Sequence, residues 1–116
     1  MKNESEASLL RIFIGESDKY KMKSLYEVIL EEARKAGMAG GTVIRGCLGY
    51  GANSVIHTSK VLRLSEDLPI IIEIIDSEEK IKSFLPKVDE LVKEGLVTIE
   101  KAHVIFYRGN SKKKLL

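Results

Sequence analysis

The sequence contains no tryptophan and no glutamine, and only two prolines, two histidines and one cysteine. A single cysteine cannot close an intrachain disulfide, so no internal cross-link adds to stability. Cys47 falls inside an expected strand, a position that suits a small buried residue better than a reactive thiol. Aromatic residues make up 6% of the chain, and Phe13 is the only one placed where a base-stacking sheet needs them, on a central strand. No single sign of charge dominates either. The 19 basic and 17 acidic residues leave a formal net charge of +2, and nothing in that balance calls for a nucleic-acid partner. Long apolar runs are also missing: the longest, around Ile70 to Ile75, is interrupted by Glu73 and falls far short of the ~20 residues a membrane helix needs. Met1 to Ala7 is polar and acidic and lacks the apolar core of a secretory leader. A cytoplasmic location is the simplest expectation. The scarcity of Asn and Gln beside abundant Ile, Lys and Glu fits a thermophilic source.

What is present is enough for one soluble domain. The 116 residues, 44% hydrophobic and 31% charged, suffice for a single core. Residues 1–7 are expected as a disordered tail, 8–108 as the domain and 109–116, with Ser111 to Leu116, as a basic tail. Leu9 to Ile14 reads as a strand. Ser24 to Ala36 reads as a helix with Leu25, Val28, Ile29, Ala33 and Ala36 on one face, closed by Gly37 as its left-handed cap. Thr42 to Leu48 is the next strand. The order then repeats. Pro69 opens a strand through Ile75, and Asp76 with Glu79 forms an expected capping box. The second helix carries Ile81, Phe84, Leu85, Val88, Leu91 and Val92 as its apolar stripe, is kinked or split at Pro86, and closes at Gly95. Leu96 to Ile99 is a fourth strand, with a short fifth at His103 to Tyr107.

Two consecutive strand-helix-strand units predict a ferredoxin-like α+β sandwich (βαββαβ), an antiparallel sheet with both helices on one face. Alternation sends Leu10, Ile12 and Ile14 one way and Leu9, Arg11 and Phe13 the other; Ile70, Ile72 and Ile74 oppose Ile71, Glu73 and Ile75. Both faces are largely apolar, yet two helices cover only one. The face carrying Leu9, Phe13, Ile71 and Ile75 therefore predicts contact with another subunit, and composition allows a dimer as readily as a trimer. Arg11 and Glu73 share that face on neighbouring strands, which predicts a cross-strand ion pair.

The glycine-rich stretch from Gly37 to Asn53 is the most informative segment. Gly37-Met38-x-Gly40-x-Thr42-Val43 resembles the G-[IM]-x-G-x-T-V of the nitrogen-regulatory PII signalling proteins. Gly49-Tyr50-Gly51-x-Asn53 resembles their G-F-G-x-Q, with one residue more between Thr42 and the second element. Over most of its length the chain is identified as a member of the PII-like family known only as family 190 of the domains of unknown function. The resemblance implies a homotrimer with inward-facing sheets and a signalling role, and family members often neighbour a gene for a small membrane fluoride exporter. A membrane transport protein is accordingly a candidate partner.

The same resemblance places a binding site at Gly40, Thr42, Gly49, Tyr50, Gly51 and Asn53, with Lys60, Arg63 and Arg108 supplying positive charge. The expected ligand is a small anionic metabolite or nucleotide held in clefts between subunits. His57, Thr58 and Ser59 occupy the long loop from Gly51 to Asp67 that meets the partner protein in PII. Successive amides around glycines do form anion-binding concavities, though a lone G-x-G is common turn chemistry. One departure matters: the second PII phosphate loop, T-G-x-x-G-D-G-K, has no counterpart in Val92 to Thr98. ATP is not carried over as the ligand, and no cofactor is assigned.

No nucleophile elbow, Cys-His constellation or Walker loop occurs. His57 and His103 lack the spacing of a metal pair. These features favour a non-enzymatic reading. The alternative is a small ferredoxin-like enzyme, an isomerase or a phosphatase-like one, because this sandwich hosts such activities; Gly15 to Lys19 does not fit the acylphosphatase loop. An RNA-binding sheet is the weakest reading, with Phe13 its only candidate aromatic.

Overall fold

A computed structural model describes residues 4–51 and 67–109. The elements run β1 (Ser5–Gly15), β2 (Lys19–Tyr20), β3 (Lys23–Ser24), α1 (Leu25–Lys35), β4 (Gly40–Arg45), β5 (Pro69–Asp76), α2 (Glu78–Leu91) and β6 (Leu96–Val104). The four long strands form one sheet in the order β4-β5-β1-β6, with every neighbouring pair antiparallel. This is the expected ferredoxin-like sandwich. Strands β2 and β3 make a separate small hairpin, whose turn holds Lys21 and Met22 at positive φ.

Strict alternation builds the core. Leu10, Ile12 and Ile14 of β1 and Ile70, Ile72 and Ile74 of β5 are buried. They meet Leu25, Val28, Ile29 and Ala33 of α1 and Ile81, Phe84, Val88 and Leu91 of α2. Each of these larger apolar side chains contributes roughly 1.5–3 kcal/mol on burial. The alternate residues Leu9, Arg11, Phe13, Ile71, Glu73 and Ile75 are only half-buried, because both helices lie on the opposite face. Register extends this open face outwards: Ile44 stands opposite Ile71 and Leu96 opposite Phe13. Ile44 and Leu96 remain 40% and 56% exposed.

Helix α1 ends as its sequence predicts. Gly37 adopts φ +78°; its N–H donates to the Arg34 carbonyl at 3.0 Å and that of Met38 to the Ala33 carbonyl at 3.1 Å. This is the paired bonding of a Schellman motif, with Met38 packed against the core. Other boundaries differ from the sequence expectations. β1 begins at Ser5, so residues 5–7 of the expected tail belong to the sheet. β4 stops at Arg45 and leaves Cys47 exposed beyond it rather than buried within it. α2 runs unbroken through Pro86. β6 is one strand of nine residues, and Ile105 to Tyr107 follow it without extending it.

Two assignments at the ends of α2 change for physical reasons. Its N-cap is Ser77, whose hydroxyl accepts from the Lys80 amide at 3.3 Å, in place of Asp76. At its other end the helix closes at Val92, three residues before Gly95. Gly95 has a different task. At φ +153°, a Cβ there would stand 2.6 Å from the Phe13 carbonyl oxygen, so glycine admits the close approach of β6 to β1.

Candidate functional site

Three clusters of functional interest lie on this frame. The first is at the sheet end where β4 starts and β5 stops. Buried Asp76 accepts the Ala39 N–H through Oδ2 at 2.8 Å and the Ser77 N–H through Oδ1 at 2.6 Å. Lys80, one turn into α2, donates from Nζ to the Gly37 carbonyl at 2.6 Å. From beyond β6, the Tyr107 hydroxyl donates to the Ala39 carbonyl at 2.7 Å. The glycine turn is thus clamped from three directions. Beside it lies a groove of about 740 Å³, lined by Glu27, Leu30 and Arg34 of α1, Met38 to Gly41 of the turn and Tyr107. Its volume falls in the range of small-ligand sites.

The second cluster is on the open sheet face. Arg11 and Glu73 stand directly opposite in register, and Arg11 Nε donates to Glu73 Oε2 at 2.9 Å. Arg11 Nη1 donates in addition to Glu100 Oε1 of β6. The hydrogen bond to Glu73 holds the guanidinium above its ordinary range, with partial burial opposing and the charge of Glu100 reinforcing. Thr42 faces the same cluster from β4, opposite Glu73.

The third cluster is at the far sheet end. Asp67 accepts from both the Ser17 amide and its hydroxyl at 3.0 Å, Arg45 pairs with Glu16, and the Gly46 amide donates to the Pro69 carbonyl at 2.8 Å. Gly49 lies against the Pro69 ring, and Tyr50 is 76% exposed.

Residues 7–104 match the family model DUF190, described as Uncharacterized ACR, COG1993. The chain belongs to that family. Among DUF190-related sequences it is 42% identical over 98 residues to a UPF0166 protein of Aquifex aeolicus, covering 84% of this chain and 92% of that one. It is 38% identical over 107 residues to a UPF0166 protein of Methanocaldococcus jannaschii, covering 91% and 96%. Its fold is that of PII-like proteins. It superposes with a TM-score of 0.62 on a proposed PII-like signalling protein of Thermus thermophilus, at 19% identity and 89% and 93% coverage. With CPII of Thiomonas intermedia, a structure bound to ADP and bicarbonate, the TM-score is 0.58 at 19% identity, with 90% and 94% coverage.

Within one DUF190 chain, the expected site residues that lie among the described residues do not converge. Gly40 opens β4 and lines the groove, and Arg108 follows Tyr107 at that end with its guanidinium 4.0 Å from the Phe106 ring centroid. Gly49, Tyr50 and Gly51 follow the other end of β4, about 20 Å away along a six-residue strand. Asn53, His57, Thr58, Ser59, Lys60 and Arg63 lie outside the described residues. Asp76, Lys80 and Tyr107 were not legible as a clamp, because nothing local marks a carboxylate as the partner of an amide 37 positions away. Glu100 was within reach: a β6 continued past Ile99 gives it the parity of Arg11. No helix in the described residues is long and apolar enough to cross a membrane.

Proposed function

We propose that this DUF190 protein is a PII-like signalling protein, acting in the cytoplasm by binding rather than catalysis. Three copies assemble with their sheets inward, and a small anionic metabolite or nucleotide binds in the clefts between subunits. The observation that carries the reading is the open sheet face: its apolar residues and the Arg11 cluster have no helix above them, and such a surface is stabilised by burial against further copies. Assembly would also bring the two separated ends of β4 from different subunits into one cleft. Gly40 and Arg108 of one copy would then meet Gly49, Tyr50, Gly51 and Asn53 of the next, with Lys60 or Arg63 adding positive charge. The shared fold with CPII, bound in its structures to ADP, AMP and bicarbonate, supports an adenine nucleotide or a small oxyanion as the ligand class. His57, Thr58 and Ser59 would carry the signal to a partner protein, for which a membrane transport protein is the first candidate.

A thermal-shift screen against ADP, AMP, ATP, dicarboxylates, bicarbonate and halides tests the ligand. A true ligand at 100 times its Kd stabilises the native state by about 2.7 kcal/mol and raises Tm accordingly. Sedimentation at micromolar concentration tests the assembly. A stable monomer that none of these compounds stabilises would remove the reading, whereas a dimer would retain the buried face and reject the PII-like arrangement.

A further inference from the structure

The open sheet face carries an unequal set of charges. One guanidinium, Arg11, is shared by two carboxylates, Glu73 and Glu100, which leaves a surplus of one negative charge. Glu100 faces Leu9 directly across on β1 and has Thr98 and Ala102 beside it on the same face of β6. Among the described residues, Arg11 and Glu73 are the charged groups that share its face. Lys101 and His103 have the opposite parity, and His103 is engaged with Glu6 and Glu4.

In a separate chain water solvates the surplus charge, since the Glu100 side chain is 56% exposed. In the assembly proposed above, burial between copies would remove that water and bring like charges from the subunits closer, and both changes would disfavour the ionised carboxylate. We infer that assembly through this face is coupled to proton uptake by the Glu73–Glu100 carboxylate pair, so that mild acid tightens the oligomer. This inference rests on the subunit arrangement proposed above and adds its regulation. The sign follows from linkage: a state that holds more protons gains population as pH falls, and each proton taken up changes the association constant by about tenfold per pH unit. The effect ends below the pH at which the separate chains hold the same protons.

The test is sedimentation of the full chain over a range of concentrations, from about pH 5 to about pH 8 at constant ionic strength, for the native protein and for Glu100→Gln and Glu73→Gln. Each variant leaves one carboxylate per guanidinium. Circular dichroism checks that each subunit is folded, and Glu100→Gln keeps the Arg11–Glu73 bond. The native association constant is expected to fall at least about tenfold across that window. Both variants are expected to be insensitive to pH and to associate more tightly than the native chain at the alkaline end. A native oligomer insensitive to pH overturns this inference and leaves the trimer standing. A pH slope that persists in both variants, which would assign it to His103 or His57, overturns it as well. So does association driven by added Mg²⁺ and not by acid. A monomer throughout the window overturns both this inference and the proposed assembly.

Discussion

The Ala39 amide donates to the Asp76 carboxylate at 2.8 Å, tying the turn after α1 to the last residue of β5. The same carboxylate takes the Ser77 amide, and Lys80 and Tyr107 hold the carbonyls of Gly37 and Ala39. The polar groups at the tip of the turn are therefore engaged within the chain. In this structure the first glycine motif is held by a clamp that positions the start of β4, and the anion-binding role proposed above is tested at the second motif, Gly49 to Gly51.

Removing the acceptor should be costly. Asp76→Ala leaves the Ala39 and Ser77 amides without their partner, and a buried donor left unsatisfied costs about 1–3 kcal/mol. A loss at the upper end is expected from urea unfolding, with Asp76→Asn intermediate because it keeps one carbonyl acceptor. Tyr107→Phe, at an exposed position, should cost no more than about 1 kcal/mol.

Gly37 and Gly95 separate two kinds of glycine requirement. Gly37→Ala introduces a side chain at φ +78° and should cost about 1–2 kcal/mol. Gly95→Ala adds to a backbone conformation restricted to glycine a Cβ 2.6 Å from the Phe13 carbonyl oxygen; strain and overpacking together should exceed the Gly37 effect. Chemical denaturation of both variants, with that order of midpoints, checks the assignment.

Arg11→Met leaves Glu73 and Glu100 on the open face without their shared cation. Association should weaken more than in the triple variant Arg11→Met, Glu73→Leu, Glu100→Leu, because a carboxylate whose partner is removed opposes burial while a wholly apolar face does not. Sedimentation of the single and combined variants reads the coupling; strictly additive effects would mean that the three residues do not act as a unit.

Among the described residues, a Cβ at Gly51 would meet nothing within 4 Å. Gly51→Val should keep a ligand away from the backbone of the second glycine motif while the subunits still fold and assemble. Loss of nucleotide- or bicarbonate-dependent thermal stabilisation is expected, with unchanged sedimentation. An undiminished response would move the site away from Gly49 to Gly51.

The parts legible in the sequence are those governed by local periodicity. Alternation along Leu9–Ile14 and Ile70–Ile75 assigned each residue to a face, and sheet order then set Arg11 against Glu73, as register and a 2.9 Å bond bear out. The apolar stripes of both helices and the cap at Gly37 were legible for the same reason, since a turn of helix and its termination involve only neighbouring residues. The tertiary structure decided which polar group meets which. Asp76 looked like a helix cap and is the anchor of a distant turn; Gly95 looked like a helix stop and is a point of close strand approach; Glu100 joined the Arg11 pair because β6 continues. A side-chain period is a property of a few consecutive residues, whereas the partner of a carboxylate or the space around a glycine depends on segments that meet only once the sheet has formed.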